Sequence, residues 1–152
     1  MHRLFYGSLL ILFPAFVHAQ TPADAVKASI NQLFTAMRNA DSNAIKACFA
    51  PGARLQSVSK DKPIQTIAID EFAAHIGKLP PNAADERIVF DQIHIDGTLA
   101  SAWTPYRFYL KQQFNHCGVN SFQLVQLDGV WKIQYVIDTR RKDDCGAEET
   151  TK

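Results

Sequence analysis

Asp-Gly occurs twice in this chain, at Asp96-Gly97 and Asp128-Gly129, and each time it separates two runs that alternate apolar with polar residues. The dipeptide is a strong signal for a two-residue type I′ turn, because both central residues of that turn need positive φ. ERIVFDQIHI and TLASAWTPYRFYL flank the first; FNHCGVNSFQLVQL and VWKIQYVID flank the second. A further turn near Lys111-Gln112-Gln113 joins the two hairpins. Everything from Glu86 to Asp138 therefore reads as one antiparallel meander.

The half before it reads differently. Thr21-Pro22-Ala23-Asp24 is a capping box with proline at the first helical position. Val26, Ile30, Leu33, Phe34 and Met37 then recur at helical spacing, which predicts a helix to about Asn39. Asp41-Ser42 caps a short second helix through Ala50, stopped by Pro51-Gly52. ARLQSVS alternates and reads as a strand. Asp70 caps a third helix carrying Phe72, Ile76 and Leu79, ending before Pro80-Pro81. Helices followed by a meander predict the α+β class, with the helices on one face of a curved antiparallel sheet.

The N-terminus bears on the compartment. Arg3 is the only formal charge before SLLILFPAFV, and Val17-His18-Ala19 supplies a small-x-small cleavage pattern. That is the layout of a secretory signal over residues 1–19, cut after Ala19. Its apolar core falls short of the ~20 residues a spanning helix needs. A single domain over residues 20–145 is expected, then a disordered tail over 146–152, with export to the periplasm or outside the cell. Without Arg3, acidic and basic side chains are equal in number. No net field then draws the chain to nucleic acid or to an anionic membrane.

Three cysteines remain to be placed. Cys48, in the helical stretch AIKACFA, reads as a small buried hydrophobe. In an oxidising compartment that favours a Cys117–Cys145 disulfide over pairings that use Cys48. The histidines His75, His94 and His116 show no metal-ligand spacing, and no Gly-rich phosphate loop appears, so neither metal nor cofactor is expected.

Turns set the register, and the register sorts side chains onto two faces. Counted from Asp128-Gly129, Gln126 pairs with Trp131, Leu124 with Ile133 and Phe122 with Tyr135. Counted from Asp96-Gly97, His94 pairs with Leu99, Phe90 with Trp103 and Glu86 with Arg107. One face then gathers Ile88, Phe90, Trp103, Tyr109, Phe122, Trp131 and Tyr135 around Glu86, His94, Arg107, His116 and Asn120. The other holds Tyr106, Phe108, Cys117, Val136, Asp138 and Arg140. Consecutive strand residues point oppositely, so His116 and Cys117 cannot form a catalytic dyad. A bulge in the last strand would turn Asp138 inward; which face Asp138 and Arg140 take stays open.

The element order, with AWTPYRFYL, FNHCGVNSFQLV and GVWKIQYVIDTRRKDDC, resembles the nuclear transport factor 2-like superfamily, closest to its exported branch labelled putative lumazine-binding or polyketide-cyclase-like (SnoaL-like). The resemblance spans essentially the whole chain after the signal. It implies a cone, with three N-terminal helices packed on the concave face of a strongly bent sheet and a pocket in the cone's mouth. It also implies homodimers formed through the sheet's outer face. Enzymes of the superfamily use inward Asp, His, Tyr or Arg in apolar surroundings, where burial retunes their pKa. Here helix one offers no inward acid or tyrosine, and ARLQSVS carries no acid. Glu86, Arg107 and His116 remain as candidates, with His116 as acid or base; equally, Glu86 and Arg107 make an ordinary cross-strand ion pair. Asp138-Thr139-Arg140-Arg141 reads either as an anion clamp or as a solvated strand end.

The expected pocket is lined by Phe90, Trp103, Tyr109, His116, Asn120, Phe122 and Tyr135 and takes a small, largely apolar molecule. The alternatives are an isomerase, dehydratase or cyclase using His116 with Arg107 or Glu86, and a structural dimerisation domain with a filled cone. A cavity of roughly 300 Å³ or more separates that last reading from the other two.

Overall fold

Thr21 opens the first helix with both halves of the capping box in place. In the computed structural model, which describes residues 21–146, the Asp24 amide donates to the Thr21 hydroxyl at 3.1 Å and the Thr21 amide donates to the Asp24 carboxylate at 3.3 Å. Two otherwise orphaned donors of the first turn are thereby satisfied. Helix α1 runs Pro22–Arg38 and buries Val26, Ile30, Leu33, Phe34 and Met37 on one stripe. The expected signal, its cleavage after Ala19 and residues 147–152 lie outside the described residues.

Helix α2 (Ser42–Ala47) is capped by Asp41, but it ends three residues before Ala50. Phe49 already belongs to strand β1 (Phe49–Ser59), where it pairs with Ile133. Pro51-Gly52 therefore does not stop a helix; it sits in the β1 register shift between Phe49 and Arg54, with Gly52 at φ 75°. Pairing with a distant strand has overridden local helix preference. A short strand β2 (Gln65–Ile67), which the sequence does not announce, folds back on β1. Helix α3 spans Ile69–Gly77, and its cap is Ala68, without a side-chain hydrogen bond. Asp70 is corrected to the first turn, where its charge still suits the helix dipole; Leu79 lies beyond the helix end.

The expected run ERIVFDQIHI divides into β3 (Ala84–Ile88) and β4 (Gln92–Asp96), which pair one after the other with β5 (Leu99–Leu110). Strands β6 (Gln113–Leu127) and β7 (Val130–Arg140) complete the sheet. Its order is β2-β1-β7-β6-β5-β3, with β4 also on β5. All pairs are antiparallel except β1 with β7. The helices pack on one face, where Val26, Ile30, Ile45, Phe122, Leu124 and Ile133 are fully buried. Among the described residues, no helix is long and apolar enough to cross a membrane.

Turn positions explain part of the register and bulges the rest. Asp128 (φ 49°) and Gly129 (φ 80°) form the last turn as expected, while Asp96 pairs with Leu99, so Gly97-Thr98 makes the first one. Three irregularities then change which side chains share a face. Between β3 and β4, Val89–Asp91 breaks the run, and Glu86 comes opposite Phe108 instead of Arg107. In β6 an extra residue, Asn115, lies between the pairs Phe108–His116 and Tyr109–Phe114. In β7 an extra residue, Gln134, lies between Leu124–Ile133 and Gln123–Tyr135, so Phe122 meets Val136 rather than Tyr135. A single extra residue flips every side chain beyond it. The concave face consequently carries Tyr106, Phe108, His116, Asn120, Phe122, Val136, Asp138 and Arg140.

His116 and Cys117 do point oppositely. Cys117 is 1% exposed and is disulfide-bonded to Cys145, with their Cα atoms 5.7 Å apart. Cys117 and Arg141 also exchange two backbone hydrogen bonds of 2.9 Å, which hold the chain just after β7 beside β6, while the disulfide ties the following residues to the back of that strand. Cys48 is buried and free.

Candidate functional site

Between the helices and the concave face lies a cavity of about 570 Å³. Helix α1 contributes Leu33, Phe34 and Met37, helix α3 contributes Phe72 and Ile76, and β1 contributes Phe49 and Leu55. From the sheet come Phe108, Phe122 and Val136. The apolar walls follow directly from the stripes on α1 and α3, whose remaining apolar residues close the core. Polar groups gather on the sheet side: Ser57, Glu86, His116, Asn120, Asp138 and Arg140. Gln65, Thr66 and Glu71 line it from exposed positions on β2 and α3.

Asp138 is the hub of these polar groups. It is 5% exposed, yet its carboxylate accepts from the Ser57 hydroxyl at 2.6 Å, the Tyr106 hydroxyl at 2.9 Å and Arg140 Nε at 2.7 Å. Arg140 Nη2 reaches its other oxygen at 3.5 Å. A buried carboxylate is tolerated only when its lone pairs are filled and its charge opposed, and here both conditions hold. Burial works against the Arg140 guanidinium, but the hydrogen bond and charge of Asp138 outweigh it and keep its pKa above the ordinary value. Burial raises the Tyr106 phenol far above its usual range, and the Asp138 and Glu86 charges add to the effect. Tyr106 is thus a fixed hydrogen-bond donor, also engaging the Thr139 carbonyl at 2.9 Å.

Glu86 stands apart from that hub. It accepts from the Asn120 amide at 2.8 Å, and no ion pair holds it among the described residues. Burial pushes its pKa to about 7; the Asn120 bond pulls it down, and the Asp138 charge raises it again. His116 moves below its ordinary value, chiefly through burial and then through Arg140. Its ring lies 5.6 Å from that of Tyr106 and 5.1 Å from that of Phe108, with Nδ1 2.8 Å from Asn115 Oδ1. At neutral pH the imidazole is therefore uncharged.

The Glu86 shift has a measurable consequence for stability. Its folded pKa of about 7 lies above the ordinary 4.5. The stabilisation is full below 4.5 and is lost as pH rises to about 7, because the unfolded chain releases this proton first. Glu86→Gln should remove that loss. Urea denaturation of both proteins at pH 4.5 and pH 8 is expected to show the variant gaining on the unaltered protein by of order 2 kcal/mol at the higher pH.

Of the residues singled out from sequence, Glu86, His116, Asn120 and Phe122 line the cavity. Arg107 does not: it faces the other side, opposite Arg87, where its Nη2 donates to the Gly146 carbonyl at 2.6 Å. Trp103 is 45% exposed on that same side. Tyr109 packs against Phe114, 6.0 Å between ring centres, and under the Arg87 guanidinium. Tyr135 donates its hydroxyl to Gln56 Oε1 at 2.5 Å, away from the cavity. Phe90 packs at the core margin with Lys27 above it, and His94 is exposed opposite Ser101. The inward residues that simple alternation misplaces are Tyr106, Phe108 and Val136, with Asp138 and Arg140 turned inward by the bulge at Gln134. Ser57, outside the meander, joins them. Among the described residues no group of three or more His, Cys, Asp or Glu is placed to hold a metal ion.

Comparison with known proteins agrees with this architecture. The family described as "Putative lumazine-binding" matches residues 21–135. Among solved structures, an NTF2-like protein of unknown function from Shewanella baltica OS155 superposes with a TM-score of 0.64 at 18% identity, covering 80% of this chain and 94% of that one. One from Silicibacter pomeroyi DSS-3 gives 0.64 at 15% identity over 78% and 95%. A domain of unknown function with a cystatin-like fold from Nostoc punctiforme PCC 73102 gives 0.60 at 18% identity over 80% and 79%. No curated protein matches the chain.

Proposed function

We propose that this chain, which belongs to the putative lumazine-binding family and has the NTF2-like fold, is a binding protein for a small, largely apolar molecule held in the cone by one or two polar contacts. The observation that carries the reading is the cavity. At about 570 Å³ it exceeds the roughly 300 Å³ of the smallest drug-sized sites, which argues against a cone filled by its own side chains. Its composition supports the same reading, with eleven apolar side chains among the described residues around a compact polar patch. The family name makes lumazine, a polar pteridine, a comparison ligand for the binding assay.

Export and pairing belong to this reading. The Cys117–Cys145 disulfide suits an oxidising compartment. Leu99, Trp103 and Phe114 expose 54%, 45% and 42% of their surface on the outer side of the sheet, which suits a homodimer through that side. Native mass spectrometry of the protein from its own compartment tests the whole reading. A co-purified small molecule, or one-to-one binding of a small apolar probe that Val136→Trp weakens at least tenfold by filling the cavity, is the expected result. A protein that carries nothing and binds no small apolar probe would end the reading.

One observation favours a second reading, an isomerase, dehydratase or cyclase. Glu86 lies in the cavity with its pKa near 7, where a carboxyl can both give and take a proton, and the uncharged His116 lines the same space. Arg107 has no part in it from its position on the outer side. His116→Ala would then abolish turnover while binding persists.

A further inference from the structure

Resting on the binding reading above, we infer that the molecule the cavity takes is an apolar amine carried as its cation, with Glu86 as its counter-charge and phenylalanine rings as its walls. Charge balance is the first argument. Among the described residues three carboxyl groups line the cavity, Glu71 from α3, Glu86 from β3 and Asp138 from β7, against one permanent cation, Arg140. Arg140 is spent on Asp138, through contacts of 2.7 Å and 3.5 Å. His116 on β6 is held uncharged by burial and by Arg140, so it supplies no positive charge at neutral pH. Tyr106 on β5 donates its proton to Asp138 and Thr139. From α1, which packs on β3, Arg38 is engaged by Asp85, 3.6 Å away, rather than by Glu86. Among the described residues Glu86 accepts one side-chain hydrogen bond, from the Asn120 amide, and forms no ion pair; the Arg140 charge reaches it only from its place on Asp138.

The walls are the second argument, and they are independent of the first. Phe34, Phe49, Phe72, Phe108 and Phe122 all line the cavity, from two helices and three strands. An aromatic face attracts a cation through its quadrupole, and more so where water is excluded. An anionic ligand would meet uncompensated carboxylates, and a neutral one would use neither the rings' quadrupoles nor the charge at Glu86. A cation uses both. Its arrival also adds to the half-buried Glu86 the ion pair that it does not have among the described residues.

Three probes of similar size decide the matter by isothermal titration: phenylpropyltrimethylammonium, phenylpropanol and phenylpropionate. The quaternary ammonium keeps its charge at every pH. We expect it to bind at least tenfold more tightly than the alcohol at pH 8, the anion to bind weakest, and the preference to vanish in Glu86→Gln. In the unaltered protein, ammonium affinity should rise about tenfold between pH 6 and pH 8 as Glu86 ionises around 7, while alcohol affinity stays level. That pH series decides the question without the variant, should Glu86→Gln fail to fold. Equal binding of all three probes, or a preference for the alcohol or the anion, overturns the inference and leaves the cavity reading standing. Failure of all three to bind overturns both.

Discussion

Gly118→Ala is expected to lose about 4 kcal/mol or more of stability, or to fail to fold. Gly118 pairs with Tyr106 across β5 and β6 and lies beneath Thr139 of β7. A methyl group there would land on the Thr139 carbonyl oxygen, far inside van der Waals contact, with the carbonyl carbon at 2.8 Å and the Tyr106 ring carbon Cε1 at 2.9 Å. Two of those three atoms are backbone and cannot swing aside. The Thr139 carbonyl also accepts the Tyr106 hydroxyl, so moving either strand disturbs the Asp138 hub as well. Ordinary overpacking of a core costs about 1–3 kcal/mol, and this site has less room to relax than an ordinary one. Gly97→Ala is the control. Nothing lies within 4 Å of a methyl there and the strain is only that of φ 56°, so it should cost about 1 kcal/mol. Urea denaturation of both variants gives the comparison. A Gly118→Ala protein as stable as Gly97→Ala would mean that β5, β6 and β7 do not meet as closely as described.

Asp138→Ala should be the next most damaging change. It removes the acceptor of the Ser57 hydroxyl, half of the Tyr106 bonding and the counter-charge of Arg140. Breaking a buried pair from one side costs about 3–5 kcal/mol, because the abandoned charge has lost its solvation. Arg140 keeps 43% of its side chain exposed, so the loss belongs at the lower end, about 3 kcal/mol. Asp138→Leu combined with Arg140→Met removes both charges together and should recover most of that loss. A double variant no better than Asp138→Ala would show that the hydroxyl partners, rather than the charge, account for the effect.

What could be read from the chain was whatever depended on near neighbours. The capping box at Thr21 and Asp24, the stripe on α1 and the turn at Asp128-Gly129 each rest on residues within a few positions of one another, and each is where the spacing puts it. The opposition of His116 and Cys117 needs only strand alternation. The polar site required more. Asn115 and Gln134 are ordinary strand residues with no local mark of a bulge, whereas the break at Val89–Asp91 is marked only by the apolar run Ile88–Phe90, after which the alternation changes phase. Such irregularities follow from how far the sheet must bend around α1 and α3, a property of the assembled molecule. Each one reverses parity. Arg107 therefore exchanges places with Arg140, and Trp103 with its buried neighbours Ala102 and Thr104. Glu86 and Asn120 reach the cavity all the same, although Glu86 arrives opposite Phe108 rather than Arg107.

The parallel seam between β1 and β7 also dictates when the molecule can become itself. Ser57 and Asp138 meet although they are 81 residues apart in the chain. The opening half is therefore made long before the edge that receives it, and until Arg140 emerges the inner surfaces of the first two helices have only part of their covering. Pairings of such high contact order are slow to find. A nascent chain stalled short of Val130 should remain a protease-sensitive substrate for holding chaperones, and folding should then complete in one late step when the last strand arrives.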